Sequence, residues 1–332
     1  MFPKDDIERV LEKLRKMYLG SGSSTRSVYP VLRIGYGFVI RGLPIELSNF
    51  KVFKPRSHPY YLITVDASLK TLFDCGAYRV IEAKLSFGIW RGRERICSPK
   101  VLLKRISVVP SRDAAFEWLL RIELETLLKT IDELSPSKLD ICLLDRALVC
   151  PPTYSDKTRS LFTEFISNLV KRGITVVGLS KSTQLRVSTG ESLIGYLLHL
   201  SSRSEELRYS RWVYYPVFSS RLLPPWYYGD IAIVKLDPDS EHAFRMDFVL
   251  SSGPTLDDIV EELAYLVDPV TPGYPYPLRC VHEESRFSRS EVEIDRLKFL
   301  EKLREYNLLE YFLSDVRSTS FRSTYLLKRE LE

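Results

Sequence analysis

LDICLLDRAL, residues 139–148, is the stretch that decides what this chain folds into. Ile141, Cys142, Leu143 and Leu144 run without a break and stop at a carboxylate, Asp145. An apolar run closed by a charge reads as a strand buried on both faces that delivers an acid at its carboxyl end. Burying a carboxylate alone is costly, so Asp145 needs company. Upstream, Tyr61-Leu62-Ile63-Thr64-Val65-Asp66 has the same design. Between the two lies Ser111–Leu134, where Ala115, Trp118, Leu119, Ile122, Leu127 and Ile131 recur at helical spacing and where Glu123 and Glu125 fall. Strand acid, helix acid, strand acid is the layout of a divalent-metal site.

Working outward, Tyr78–Trp90 and Lys100–Val108 read as strands, Asp156–Arg172 as a helix closed by Gly173, and Ile174–Leu179 as a further strand. Three meandering strands, helix, strand, helix, strand is the order of a ribonuclease H-like α/β fold, a mixed sheet flanked by helices. In that fold the first and fourth strands are neighbours, which would put Asp66 beside Asp145. Further on, Glu191–Leu200 reads as helix, and Trp212–Phe218, Asp230–Leu236 and Ala243–Leu250 as strands extending the sheet. Thr255–Val267 is a helix capped by Thr255, Pro269–Leu278 a loop, and Glu291–Phe312 a helix. The expected division is an amino-terminal helix and linker (1–25), a nuclease-type core (26–290) and a helical extension (291–332). The first helix, Asp5–Leu19, carries an apolar stripe of Ile7, Val10, Leu11, Leu14 and Tyr18, and the Gly-Ser-rich segment 20–25 separates it from the rest.

With 332 residues, 45% of them hydrophobic, the chain can bury a substantial core. Its formal charge of +5 is compatible with a polyanionic partner without demonstrating one. The five cysteines are scattered with no C-x-x-C pair, which disfavours a zinc ribbon or a thioredoxin-like centre. No apolar run is long enough to span a bilayer and no signal peptide opens the chain, so a cytoplasmic protein is expected.

Oxygen ligands such as Asp66, Glu125 and Asp145 suit Mg²⁺ or Mn²⁺, and two such ions about 4 Å apart can activate a water and stabilise the leaving oxygen of a phosphodiester. Glu123 and Glu125 differ by roughly 200° around a helix, so only one faces the sheet. Their spacing from Trp118 and Ile122 favours Glu125, leaving Glu123 as the alternative. Lys181 follows the strand that ends at Leu179, placed to hold a phosphate. His282, after the Tyr-Pro-rich segment, can serve as ligand or acid. Arg91, Arg93 and Arg95, with Lys100, Lys104 and Arg105, could track a phosphate backbone, and Trp226 could stack a base. Solvated hairpin tips and ordinary core burial are the plainer alternatives.

Over roughly residues 60–285 the chain resembles the NurA nuclease family of archaea and some bacteria. The resemblance rests on VDAS (65–68), RIELETLL (121–128), LLDRAL (143–148), GLSKS (178–182) and above all GYPYPLRCVH (273–282). It implies metal-binding roles for Asp66, Glu125 and Asp145, with Lys181, Tyr274 and His282 bordering the site. It further implies a manganese-dependent DNA nuclease that forms a homodimer and works with the hexameric translocase HerA in resecting DNA ends. The family usually writes its strand motifs Asp-Gly-Ser, whereas this chain has Asp66-Ala67-Ser68 and Asp145-Arg146-Ala147. Arg146 is the larger departure, a candidate DNA contact or a mark of weakened activity. Two classes of function follow: a catalytic nuclease, or a non-catalytic subunit that keeps the DNA- and motor-binding surfaces.

Overall fold

The three apolar runs form the centre of a mixed sheet. A computed structural model describes residues 4–19, 27–34, 37–96, 101–133 and 139–325; the Gly-Ser segment 20–25, Cys97 and Lys100 lie outside them. The chain begins with α1 (Lys4–Leu19), β1 (Pro30–Ile34), β2 (Phe38–Arg41), β3 (Phe50–Phe53), β4 (Tyr61–Asp74), β5 (Arg79–Arg91), β6 (Glu94–Arg95) and β7 (Val101–Val109). There follow α2 (Arg112–Glu133), β8 (Ile141–Leu144), α3 (Asp156–Lys171), β9 (Thr175–Ser180), β10 (Arg186–Val187), α4 (Leu193–Ser202) and α5 (Glu205–Arg208). The remainder is β11 (Arg211–Tyr214), β12 (Asp230–Lys235), β13 (Phe244–Val249), α6 (Leu256–Tyr265), β14 (Val267–Asp268), β15 (Thr271–Pro275), α7 (Tyr276–Ser285), α8 (Arg289–Glu305) and α9 (Leu309–Tyr325).

The main sheet runs β3-β11-β12-β13-β9-β8-β4-β5-β6, with β7 also paired to β5. Its middle is parallel: Val65 of β4 pairs with Leu144 of β8, which pairs with Gly178 of β9. Buried on both faces, these strands need apolar residues at every position, which is why no alternation shows in their sequence. One face, with Ile63, Val65, Cys142, Leu144 and Val176, packs on Leu120, Leu124, Leu127 and Ile131 of α2 and Phe162, Phe165 and Leu169 of α3. The other, with Leu62, Ile141, Leu143, Val177 and Leu179, packs on Ile259 and Leu263 of α6 and Leu278 and Val281 of α7. This mixed sheet between helical layers is the expected ribonuclease H-like architecture, and β11, β12 and β13 extend it as anticipated.

Three local expectations need correction. The first long strand does not stop at Asp66 but continues to Asp74, because Ala67 and Leu69 pack with Ala83 and Leu85 under Trp118, Leu119 and Ile122 of α2. Residues 269–278 are not a loop: they form the β14–β15 hairpin and the start of α7, with Pro277 in the first turn, where a missing N–H costs nothing. The carboxyl-terminal helix is two helices, broken at Asn307, whose φ is 58°. Phe299 of α8 and Phe312 of α9 close on Phe73 at the far end of β4. No helix among the described residues is long and apolar enough to cross a membrane.

Candidate metal centre

The register of β4 on β8 does the main positioning. With Val65 opposite Leu144, the next residues, Asp66 and Asp145, emerge side by side. Gly178 of β9 makes room for the turn after Asp145: a Cβ there would stand 2.4 Å from the Arg146 carbonyl oxygen. The far side of the turn is fixed by Asp247 of β13, whose carboxylate accepts a 2.8 Å hydrogen bond from the Leu148 backbone N–H. Asp247 is itself held by Arg245 in two hydrogen bonds, 2.7 and 2.9 Å, with both residues buried.

The α7 helix lowers His282 and Ser285 onto Asp66. His282 Nδ1 lies 2.7 Å from Asp66 Oδ2, and Ser285 Oγ lies 3.2 Å from the same oxygen. That contact, ahead of the opposing desolvation, lifts the His282 pKa above its ordinary value. On the same helix, Glu284 anchors α7 by accepting from Ser86 (2.5 Å) and Arg95 (2.6 Å). Lys181 Nζ lies 2.7 Å from Asp145 Oδ2 and sits 4.7 Å over the Tyr274 ring. Burial, then the negative charge of Asp145, pushes the Tyr274 phenol pKa upward. Its hydroxyl is buried, and its hydrogen-bonding contact with Asp145 adds to that shift.

The helix acid is Glu123, not Glu125. The buried stripe of α2 is centred on Leu120, Leu124, Leu127 and Ile131, and Glu123 lies within it at 5% exposure while Glu125 is exposed. Trp118 and Ile122, the guides that favoured Glu125, mark the edge of that stripe rather than its middle. Burial is the main cause that pushes the Glu123 pKa up to about 7, with Asp66 and Asp145 adding to it and Arg146 opposing. Arg146 pairs directly with the Glu123 carboxylate. Each of the three acids therefore has its own basic partner: His282 on Asp66, Lys181 on Asp145, Arg146 on Glu123.

The other sequence candidates lie elsewhere. Arg93 donates to the Tyr265 carbonyl (3.1 and 2.9 Å), Arg95 is taken up by Glu284 and the Phe87 carbonyl, and Arg91 stacks 5.4 Å from the Tyr61 ring. The hairpin thus ties α6 and α7 to the sheet. Trp226 is half-buried, its carbonyl accepting from Cys150 N–H, in a segment that lines the chain downstream of Asp145. Sequence reasoning passed over Arg245, Asp247 and Glu284. A charged pair inside the apolar strand FRMDFV was the available signal for the first two.

The donor set fits a hard divalent cation. Asp66, Asp145 and His282 each offer a ligand atom, all within 4.8 Å of one another. A second grouping, His58 with Asp258 and Glu261, is accounted for internally: its two ring nitrogens face the two carboxylates at 3.7 and 3.0 Å.

By sequence, no protein-family model and no curated protein matches the chain. By structure, it superposes on the NurA nuclease from Sulfolobus solfataricus with a TM-score of 0.55 at 14% identity, over 92% of this chain and 98% of that one. A second NurA structure gives 0.51 at 9% identity, over 73% and 88% of the two chains. The fold is that of the NurA nucleases. Human ENDOV matches more loosely, at 0.41 and 13% identity over 74% and 93%. On this fold, Asp66 of β4, Asp145 just past the end of β8 and His282 of α7 meet at one point.

Proposed function

We propose that this chain is a divalent-metal-dependent DNA nuclease that hydrolyses phosphodiester bonds. The observation that carries this is the convergence of Asp66, midway along β4, Asp145, just past the end of β8, and His282 of α7. Asp66 and Asp145 would hold Mn²⁺ or Mg²⁺, with His282 as the nitrogen donor. When bound, such an ion polarises a phosphoryl oxygen and lowers the pKa of its water. The chain's own residues supply the rest. Lys181, freed from Asp145, turns its ammonium to a non-bridging phosphate oxygen. Tyr274 stays protonated in its buried setting and acts as a hydrogen-bond donor. Ser285 and Glu284 fix the helix so that His282 keeps its aim at Asp66. As the family resemblance implies, the protein would act as a homodimer with a HerA-type hexameric translocase in resecting DNA ends for recombinational repair.

Linear DNA incubated with the purified chain and Mn²⁺ should be degraded, and EDTA should stop it. Asp66→Ala, Asp145→Ala and the isosteric Asp66→Asn should each abolish degradation, because the ligand's charge is what holds the cation. DNA left intact by the wild-type chain, alone and with its cognate translocase, would replace this proposal with the non-catalytic scaffold.

A further inference from the structure

We propose that Arg146 takes the place of a second divalent ion, so that the centre binds one metal ion rather than two. This rests on the metal-centre reading above and specifies its stoichiometry. The three acid–base pairs are not equivalent. His282 and Lys181 each keep 45% of their side chain exposed, so either can exchange its carboxylate for water when a metal arrives. Arg146 is bound to Glu123, whose side chain is only 7% exposed, so removing the guanidinium would strand a buried charge. The backbone that carries Arg146 is pinned as well, by the close approach of Gly178 and by the Leu148–Asp247 hydrogen bond.

Ligand geometry agrees. The convergent donors are Asp66, Asp145 and His282, and Glu123 stands outside that set. A guanidinium has five donors in a planar fork, and pairing with a carboxylate leaves some to meet a phosphate. With 31% of its side chain exposed, Arg146 has an open flank from which to do so. It would give the scissile phosphate a fixed positive charge where a second ion would otherwise sit.

The test counts Mn²⁺ bound to the full chain by the electron paramagnetic resonance of the free ion, at saturating Mn²⁺, because a nearby cation favours the ionised carboxylate. Wild type should bind one ion per chain. Arg146→Gln frees Glu123 and should admit a second, weaker ion. Glu123→Gln combined with Arg146→Gln removes the pair without leaving either charge alone, and should keep one ion at near wild-type affinity. Two ions on the wild type would overturn the inference, as would an unchanged count in Arg146→Gln. So would a loss of about tenfold or more in the double variant, which is the scale expected when a group supporting the metal is removed. A wild-type chain that binds no Mn²⁺ would overturn the metal-centre reading itself, and the inference with it. Thermal melts of each variant establish that it is folded before ions are counted.

Discussion

His282 Nδ1 lies 2.7 Å from Asp66 Oδ2, so that a helix late in the sequence closes on the strand that opens the parallel core. Without metal this contact is an ion pair, and it raises the His282 pKa above its ordinary value. A folded-state pKa that is raised means the protonated form is favoured by folding. Its stabilisation is fully present below the unfolded value of about 6.5 and is lost as pH rises through the higher folded value. In EDTA, wild type should therefore melt above His282→Gln below the unfolded value of about 6.5, with the gap closing as pH rises through the folded value. A gap that stays constant or widens with pH would mean that the pair does not form.

Glu125→Ala should leave Mn²⁺-dependent cleavage unchanged, because the side chain points to solvent. Glu123→Ala should impair cleavage, since it strands Arg146 beside the metal site. Comparing the two rates at saturating Mn²⁺ separates the acids. A result in the opposite sense would mean α2 is rotated by about half a turn from the orientation described here.

These two glutamates also mark how far the sequence could be read. The apolar runs ending at Asp66 and Asp145 revealed the parallel strands, because a strand buried on both faces leaves no other pattern. Element order then made those strands neighbours. The helix acid was harder, since stripe centre and stripe edge differ by one residue on α2 and only packing against Val65 and Leu144 settles it. The fates of Arg93 and Arg95 were not legible at all. A basic hairpin tip looks the same in sequence whether its guanidinium groups meet solvent or, as here, the Tyr265 carbonyl and Glu284.

Asp247 connects stability to the site. Burial raises its pKa, and Arg245 and the Leu148 N–H offset that cost. Arg245→Ala should destabilise the chain by about 3–5 kcal/mol in urea unfolding, the usual consequence of leaving a buried charge unpaired. Arg245→Met with Asp247→Leu should recover much of that stability, because an apolar pair can replace a buried ion pair. Activity should not return with it, since the turn from Asp145 to Leu148 has lost the hydrogen bond that fixes it. Full recovery of both would make Asp247 a purely structural residue.

Gly178→Ala tests the same turn from the other side. The new methyl would meet the Arg146 carbonyl at 2.4 Å and the Leu148 side chain at 3.0 Å, so the turn must move. Overpacking of this kind costs about 1–3 kcal/mol. The expected result is a lowered melting temperature together with a fall in the rate of Mn²⁺-dependent cleavage larger than the melt alone explains. Wild-type cleavage in this variant would show that the turn can shift without disturbing Asp145.

The last prediction concerns α1. Its Ile7, Val10, Leu11, Leu14 and Tyr18 are 47, 55, 57, 38 and 58% exposed, while Met17 rests near Gly190. An isolated helix of about this length is marginal in water, and its stability in proteins comes from packing an apolar face. Among the described residues that face is largely uncovered. A second copy supplies a matching stripe: two such helices laid together would cover Ile7, Leu11 and Leu14 of each, in the self-complementary manner of a two-fold dimer. Light scattering at micromolar concentration should therefore give the mass of two chains for the full protein and of one chain after deletion of residues 1–19. The melting temperature of the core and its Mn²⁺ binding should survive that deletion, because Asp66, Asp145 and His282 are held by elements that α1 does not build. A monomer at full length, or a dimer that persists without α1, would remove the helix from the interface.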